Sequence, residues 1–240
     1  MPSLIPRIND PNAYVTSHEI DLIAERLDLS GCRVLDLGCG DAYMTRLLAA
    51  RLGPAEIVAT EVDAVQLRRN RVSEAPAGVH FLYGGAEAIA FPDDHFDAVF
   101  LFKSFHHVPR QFLGQALDEI HRVLRPGGHA WISEPVYWGA FNAVLSLFHD
   151  EREVREAAFE QIAVAVDSGR FALIDEIFFQ YEGVYPDWRD FERRFLQVTH
   201  TRHEIDEALY QRVKAAFLAH RGAEGARFMK PHRVDLLRKI

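Results

Sequence analysis

The sequence has little of what marks secreted, membrane-spanning or nucleic-acid-binding proteins. Two cysteines occur in 240 residues, Cys32 and Cys39. If the strand predicted between them is extended at ~3.3 Å per residue, they lie roughly 23 Å apart, too far for a disulfide. The chain is therefore not a disulfide-stabilised scaffold, and we expect a reducing compartment, the cytoplasm.

Long apolar runs and basic clusters are also missing. No apolar run approaches the ~18 residues of a membrane-spanning helix, and the N-terminal segment MPSLIPRINDPNAY lacks the apolar core of a signal peptide. Acidic residues outnumber basic ones, 35 to 27, for a formal net charge of −8. This balance argues against a protein that binds nucleic acid through the phosphate backbone.

What the sequence does contain is a strand–turn–helix pattern at residues 33–45, RVLDLGCGDAYMT. An apolar run that includes Asp36 leads to Gly38 and Gly40, and a helical pattern begins near Tyr43. Glycine permits positive φ and lets a ligand approach the main chain closely, and the helix start supplies N–H groups. The pattern therefore predicts a nucleotide-like ligand at the carboxyl end of a parallel strand.

Strand and helix patterns alternate along the first half of the chain. The predicted strands are apolar runs at residues 33–37, 57–60, 79–83, 96–102 and 130–133. Continuous apolar runs, in place of alternating ones, are typical of a parallel sheet that is covered on both faces. We therefore predict an α/β fold.

The glycine turn could serve a dinucleotide, but one position argues against it. The G-x-G-x-x-G motif of NAD-binding folds requires its third glycine at position 43, where this chain has Tyr43. A NAD(P)-dependent oxidoreductase is therefore disfavoured and stays as an alternative.

Five short motifs follow one another in a characteristic order. They are VLDLGCG at 34–40, an acidic residue (Glu61) after the second strand, GGAEAIAFPDDHFDAVF at 84–100, FHHV at 105–108 and LRPGG at 124–128. In these motifs the chain resembles the class I S-adenosylmethionine-dependent methyltransferases over about residues 30–135. The run FPDDHFD followed by LRPGG is most similar to the branch that methylates small molecules such as quinones (type 11).

That resemblance implies a Rossmann-like, doubly wound sheet of seven mostly parallel strands, with an antiparallel last strand and helical cap elements. We expect residues 1–240 to form a single methyltransferase domain. Within it, about residues 30–135 would bind the cofactor, and about residues 136–225 would supply the substrate pocket.

The resemblance also implies that the cofactor is S-adenosyl-L-methionine. The expected cofactor-binding residues are Asp36, Gly38, Cys39, Gly40, Glu61, Val62, Gly85, Ala86, Glu87, Phe102 and Lys103. Glu61 lies 25 residues after Asp36, where a carboxylate accepts hydrogen bonds from ribose hydroxyls, as in dinucleotide folds. Many relatives have an aspartate at the position of Gly85, so here adenine is expected to rely on the backbone of Gly85 and Ala86, with Glu87.

His106, His107 and Glu134 are the candidate catalytic residues. The histidines follow the fourth strand, beside the sulfonium in the resembling family, and histidine can act as a general base near neutral pH. We expect His107, ahead of His106, to be that base or to contact substrate. Glu134, after strand five, would orient substrate or take a proton. No metal site is expected, because adjacent side chains point apart and the spacing offers no third ligand.

We therefore predict methyl transfer to an oxygen, nitrogen or carbon atom of a small organic acceptor, by in-line displacement at the sulfonium methyl. Nucleic acid is not the expected partner, and an RNA methyltransferase stays as an alternative. A non-catalytic partner protein with this fold is a further alternative, since no unambiguous base stands out. Nothing in the sequence indicates an oligomeric state.

Overall fold

The computed structural model describes residues 5–197 and 203–240. Its helices are α1 (Ile5–Ile8), α2 (Glu19–Arg26), α3 (Tyr43–Leu52), α4 (Ala64–Val72), α5 (Leu113–Val123), α6 (Ala140–Leu145), α7 (Arg152–Asp167), α8 (Trp188–Phe195) and α9 (Glu207–Leu218). Its strands are β1 (Val15–Thr16), β2 (Arg33–Leu37), β3 (Glu56–Glu61), β4 (Val79–Tyr83), β5 (Phe96–Phe102), β6 (Leu124–Pro135), β7 (Phe171–Tyr185), β8 (Arg221–Gly222) and β9 (Gly225–Lys239). Short 3₁₀ helices cover Pro11–Ala13, Phe105–His107 and Arg110–Phe112.

The strands form a sheet in the order β1-β7-β9-β6-β5-β2-β3-β4, with β8 paired to β9. The pairs β2–β3, β2–β5, β3–β4 and β5–β6 are parallel. The predicted Rossmann-like sheet, mostly parallel and with flanking helices, is confirmed, and the two-residue strands β1 and β8 add to its seven main strands. The strand order reverses at β2, and ligands bind at the carboxyl ends of the strands at such a switch point.

Strand β2 explains why the sequence there is a continuous apolar run. Its register aligns Arg33 with Glu56 of β3 and Asp36 with Ala59, and on its other side Asp36 aligns with Phe100 of β5. Every side chain of β2 after Arg33 is buried, because helices cover parallel sheets on both faces. Asp36 is the single charged side chain in this buried stretch.

The chain divides into two compact units. The larger comprises His18–Glu134, Val154–Ile177 and Arg233–Ile240, and the smaller comprises Met1–Ser17, Pro135–Glu153 and Phe178–His232. The expectation of one domain, with a cofactor-binding core and substrate-pocket elements, stays a prediction.

Helix α5 shows how the larger unit builds its core. Its apolar positions recur at intervals of three and four residues, which places them on one helix face. All of them are buried: Leu113, Ala116, Leu117, Ile120 and Val123. They join a core that includes side chains of β2, β5 and β6, such as Leu35, Val99 and Ile132.

The smaller unit has an aromatic core. Its buried large side chains are Tyr185, Trp188, Phe191, Phe217 and Phe228. The rings of Phe191 and Phe217 lie 4.8 Å apart between centroids, and other pairs meet edge to face, an arrangement that aromatic rings favour.

Two elements differ from their predicted bounds. The strand predicted at 130–133 begins earlier, because α5 ends at Val123 and the motif LRPGG is already part of β6. Leu124 pairs with Phe96, and a register shift follows before Ala98 pairs with His129, so the motif forms an irregular start to the strand. Helix α6, in the apolar stretch 138–148, covers Ala140–Leu145 only.

Among the described residues, no helix combines the length and the apolar character needed to traverse a bilayer.

Candidate functional site

The turn after β2 has the backbone conformation that its glycines predict. Gly38, Gly40 and Ala42 all have positive φ, of +71°, +54° and +60°. A Cβ on Gly38 would lie 2.7 Å from the Cβ of Ser104, so glycine is required there by space as well as by φ. A Cβ on Gly40 would have no neighbour within 4 Å. The chain therefore leaves room beside Gly40 for a ligand to approach the backbone.

Asp36 brings a buried carboxyl group to this turn. Its Oδ2 accepts a hydrogen bond of 2.6 Å from the Thr45 hydroxyl, whereas Oδ1 is buried and has no hydrogen-bond partner. Burial raises the pKa of Asp36 to about 7, although the Thr45 hydrogen bond and the Lys103 charge act in the opposite direction. A buried acceptor without a donor is unfavourable, and a ligand that donates to Oδ1 would relieve this.

Glu61 lies at the end of β3 and contacts the same turn. Its Oε2 accepts a 2.8 Å hydrogen bond from the Gly40 N–H. Its Oε1 accepts two more from the N–H groups of Val62 and Asp63, also at 2.8 Å. The three bonds fix the carboxylate, and because Oε2 accepts one of them, it retains a lone pair for a ligand hydroxyl.

Gly85 lies directly beside the carboxylate of Glu87. A Cβ on Gly85 would overlap the carboxylate of Glu87. The Glu87 carboxylate therefore lies against Gly85, close to where a side chain on residue 85 would begin. Ala86, between them, is buried.

The segment after β5 packs against the glycine turn. The Ser104 hydroxyl donates a 2.7 Å hydrogen bond to the Leu37 carbonyl. Lys103 has a positive φ of +58°, and its N–H donates to the Ser133 carbonyl at 2.7 Å. Positive φ is uncommon outside glycine, and such strain concentrates at functional sites.

Lys103 also connects to a residue that the sequence analysis missed. Its Nζ lies 3.8 Å from Oε2 of Glu19, which is buried. The other carboxylate oxygen of Glu19 accepts a 3.0 Å hydrogen bond from the Trp131 indole. An acidic residue in the first turn of a helix is ordinary, so the sequence gives no signal for this role.

The remaining predicted cofactor residues surround the turn in different ways. Val62 is exposed, whereas Phe102 is buried and stacks on Phe100 with 5.4 Å between ring centroids. Burial raises the pKa of the Cys39 thiol, which disfavours a reactive thiolate. The Asn70 side chain donates to the Gly40 carbonyl at 2.7 Å. Cofactor binding by Cys39, Val62 and Phe102 stays a prediction.

His106 and Glu134 form a buried pair. Nδ1 of His106 contacts Oε2 of Glu134, and side-chain exposure is 3% and 0%. Oε1 of Glu134 accepts hydrogen bonds from the N–H groups of Phe105 at 2.8 Å and of His106 at 3.3 Å. These contacts fix the carboxylate, and Glu134 in turn holds the imidazole of His106 in one orientation. Direct contact of Glu134 with substrate stays a prediction.

The two histidines differ more than the sequence suggested. His107 is exposed, whereas His106 is buried against Glu134. Their ring centroids lie only 4.1 Å apart. The premise that these neighbours point apart is therefore wrong, because they lie in a short 3₁₀ helix and not in an extended strand. The absence of a metal site stays a prediction.

Comparison with known proteins agrees with this geometry. Residues 34–128, which include β2, the glycine turn, β3 and the His106 segment, match the family model described as a methyltransferase domain. Over these residues the chain is similar to that family, a match that covers less than half of its length. This match does not extend to the residues outside 34–128.

Curated relatives agree with this match. The chain is 37% identical over 106 residues to a fatty-acid O-methyltransferase of Mycolicibacterium smegmatis, covering 44% of this chain and 38% of that protein. It is 30% identical over 152 residues to the ubiquinone/menaquinone biosynthesis C-methyltransferase UbiE of Hahella chejuensis, covering 61% and 59%. The chain thus spans less than two thirds of the length of these relatives.

A solved structure supports the fold. A candidate methyltransferase of Bacillus halodurans C-125 superposes with a TM-score of 0.64 at 16% identity, over 92% of this chain and 98% of that one. At this identity the likeness shows the fold alone, a Rossmann-like sheet with flanking helices.

Proposed function

We propose that the protein transfers a methyl group from S-adenosyl-L-methionine to an oxygen, nitrogen or carbon atom of a small organic acceptor. The observation that carries this proposal is the convergence of Asp36 and Glu61 on the glycine turn of a methyltransferase domain. One carboxyl oxygen of Asp36 lacks a donor, and Glu61 is fixed by the Gly40 N–H. Both residues therefore fit a ligand that carries an ammonium group and vicinal hydroxyls.

The cofactor would be held in three parts. Asp36 and the backbone of Gly38 and Gly40 would bind its amino-acid end, where an ammonium group supplies the donor that Asp36 Oδ1 lacks. Glu61 would accept hydrogen bonds from the ribose. The adenine contacts would come from residues 85–87, with the Glu87 carboxylate in the place of the missing aspartate. Cys39, Val62, Phe102 and Lys103 would line the same site.

The bound cofactor supplies a methyl group that positive sulfur activates, so the protein mainly has to align the acceptor and exclude water. Alignment of this kind can contribute ~7–11 kcal/mol in favourable cases. It requires neither a metal nor a covalent intermediate from the chain itself. The candidate site fits this requirement, because the groups that are held in place there, such as the Glu61 carboxylate, are hydrogen-bonding groups.

Proton transfer from the acceptor would fall to His106. Glu134 would accept a hydrogen bond from Nδ1, which would make Nε2 the nitrogen that takes up a proton. As the oxygen or nitrogen lone pair of the acceptor attacks the methyl group, the acceptor would pass its proton to Nε2. Glu134 is then a positioning residue. His107, which is exposed, would contact substrate.

The nature of the acceptor is inferred from two kinds of observation. The relatives named above are a fatty-acid O-methyltransferase and a quinone-pathway C-methyltransferase, which favours a small molecule over RNA. The acidic balance of the chain points the same way. The substrate pocket would be formed by about residues 136–225, and the protein would act in the cytoplasm.

Calorimetry with S-adenosylmethionine and S-adenosylhomocysteine tests the cofactor. Hydrogen bonds to a charged group contribute about 1.5–3 kcal/mol, so Glu61→Gln should weaken binding by roughly 10- to 150-fold. Glu56→Gln, at the opposite end of β3, is the matched control and should bind normally. The cofactor assignment fails if neither ligand binds, or if a folded Glu61→Gln variant keeps its affinity.

Activity is tested separately. The purified protein is incubated with S-adenosylmethionine and a library of small metabolites, and release of S-adenosylhomocysteine is followed through homocysteine. Turnover with one class of acceptor would support an enzyme. Tight cofactor binding without turnover on any acceptor would support the alternative of a non-catalytic partner protein.

A further inference from the structure

The smaller unit contains a cluster of aromatic rings around one ammonium group. Nζ of Lys230 lies 4.2 Å from the ring centroid of Phe141, 5.0 Å from Tyr185, 5.4 Å from Phe195 and 5.8 Å from Tyr181. We call these four rings the aromatic cage. They come from α6, β7 and α8, and Lys230 comes from β9.

Such a concentration of rings on one cation is unusual. In the other cation–ring contacts of the described residues, each cation faces one ring, as Arg7, Arg46 and Arg152 do. Here four rings lie within 6 Å of a single ammonium. The cage is therefore more than an incidental contact of a lysine with a neighbouring ring.

The rings support one another, so the cage does not depend on the lysine for its shape. Phe141 and Tyr185 are stacked with 5.9 Å between centroids and 6° between planes. Phe195 meets Phe141 edge to face at 5.3 Å and Tyr185 at 5.7 Å. Tyr185 is almost completely buried, and burial raises the pKa of its phenol, which keeps the ring neutral.

A glycine provides the space for the lysine tip. A Cβ on Gly183 would lie 2.6 Å from Cε of Lys230 and 3.2 Å from Nζ. Gly183 does not have a positive φ, so the backbone there tolerates alanine, and the absence of a side chain serves the lysine. The tip of Lys230 is also the flexible end of a long side chain, which can move away from the cage.

We propose that the aromatic cage is a binding site for a small methylated ammonium group, and that Lys230 is an internal occupant with which such a ligand competes. A primary ammonium is strongly hydrated, whereas methyl groups reduce hydration and increase contact with ring faces. Aromatic cages therefore favour tertiary and quaternary ammonium ions. Because Lys230 is tethered, its effective concentration at the cage is high, and it lowers the apparent affinity of an external ligand.

The cage does not need the methyl-transfer activity to bind such a group. The further possibility that the ligand is an amine acceptor of the methyl group, or its methylated product, rests on the function proposed above. The binding test is therefore made without the cofactor, so that failure of one proposal leaves the other standing.

Lysine NMR on the unmodified protein gives a direct readout. The chain has four lysines, Lys103, Lys214, Lys230 and Lys239, so ¹³Cε-lysine labelling gives few signals. Ring currents should shift the Lys230 signal away from the other three. Titration with tetramethylammonium chloride should move it toward them, and sodium chloride at equal ionic strength should not. A Lys230 signal unmoved by saturating tetramethylammonium would overturn the proposal.

Variants test the competition. Lys230→Ala removes the occupant and should bind tetramethylammonium at least about tenfold more tightly than the parent protein. Lys230→Met fills the same space without charge and should not bind it. Lys214→Ala is the matched control for loss of one lysine and should behave like the parent. Equal binding by the alanine and methionine variants at position 230 would contradict the proposal.

A second route keeps the lysine in place. In Gly183→Ala the new methyl group would displace the tip of Lys230, so this variant should also bind tetramethylammonium more tightly than the parent. In both variants, Phe141→Leu should abolish the gain. If it does not, the ligand binds elsewhere and the assignment to the cage is wrong.

Discussion

The two units of the molecule stabilise charge in different ways. In the larger unit, Glu61 and Glu134 are held by backbone N–H groups at the ends of parallel strands. In the smaller unit, the ammonium of Lys230 is surrounded by the faces of aromatic rings. Backbone donors fix a carboxylate in direction and distance, whereas ring faces attract any cation of suitable size. The first arrangement suits one defined ligand, and the second suits exchange between occupants.

The largest expected effect concerns the buried pair in the larger unit. General-base catalysis contributes ~10²- to 10⁴-fold, so His106→Gln should lower kcat by about that factor when the acceptor must lose a proton. His107→Gln, a neighbouring exposed histidine, is the control and should mainly change KM. A larger loss of kcat in the His107 variant would show that the exposed histidine is the base.

Glu134→Gln sharpens the same comparison, because a positioning residue acts through its partner. This variant should lower kcat less than His106→Gln, with little change in KM. It should also change the tautomer of His106 seen by ¹⁵N NMR, since Nδ1 loses its carboxylate acceptor. An unchanged His106 spectrum would show that Glu134 does not determine the tautomer of His106.

Asp36 gives a pH-dependent prediction. Its folded-state pKa of about 7 lies above the ordinary value of 3.8, so the folded chain binds this proton more tightly than the unfolded chain. The associated stability is fully present below pH ~4 and is lost as pH rises through about 7. Asp36→Asn removes that loss and should raise the free energy of unfolding at pH 8 by up to about 4 kcal/mol.

Urea denaturation of the ligand-free protein at pH 4.5 and pH 8 checks this prediction. Asp41→Asn, which alters an exposed aspartate of the same turn, should show no comparable dependence on pH. The same Asp36→Asn variant should bind cofactor more weakly. If its stability advantage at pH 8 is absent, the carboxyl group is not destabilised by burial as the structure indicates.

Gly38 and Gly40 form a matched pair within the turn. Both have positive φ, so alanine at either position should cost about 1–2 kcal/mol of stability. Gly38→Ala also meets the Ser104 Cβ, and overpacking should add about 1–3 kcal/mol. In thermal denaturation, the melting temperature of Gly38→Ala should therefore be well below that of Gly40→Ala. Calorimetry should show that Gly40→Ala mainly weakens cofactor binding. Equal stabilities would mean that Ser104 moves away readily.

The smallest expected effect lies in the smaller unit. Replacing Lys230 by methionine keeps apolar contact with the rings but removes the cation, and should lower stability by about 0.5–2 kcal/mol. Denaturation in low and moderate salt measures it. A loss much larger than this would indicate that Lys230 is a structural element of the core, and would weaken the comparison between a fixed and an exchangeable charge.

The sequence predicted those features of the candidate site whose positions depend on the order of strands and turns alone. The glycine turn and Glu61 could be located because strand, turn and strand end lie in a fixed order in a parallel sheet. Glu19 and Thr45 could not, since they reach the site from helices whose packing the sequence does not specify. The aromatic cage joins residues from 141 to 230, and such long-range convergence leaves no local pattern.

The different surroundings of the two histidines could not be predicted for a related reason. The structure buries His106 against Glu134 and leaves His107 exposed, and the prediction that His107 is the base stays a prediction. A change from extended strand to 3₁₀ helix over three residues determines which side chain faces inward. Residue type and spacing alone do not resolve so short a change.

Because the pKa of Asp36 is raised, we also expect cofactor binding to change the protonation of this carboxyl group. At pH 6 the ligand-free carboxyl is largely protonated, and a bound ammonium group would favour the carboxylate, so binding would release a proton. Calorimetric heats at pH 6 should then vary with the ionisation enthalpy of the buffer, and the variation should disappear in Asp36→Asn. The number of protons released measures how directly the ligand engages that buried oxygen.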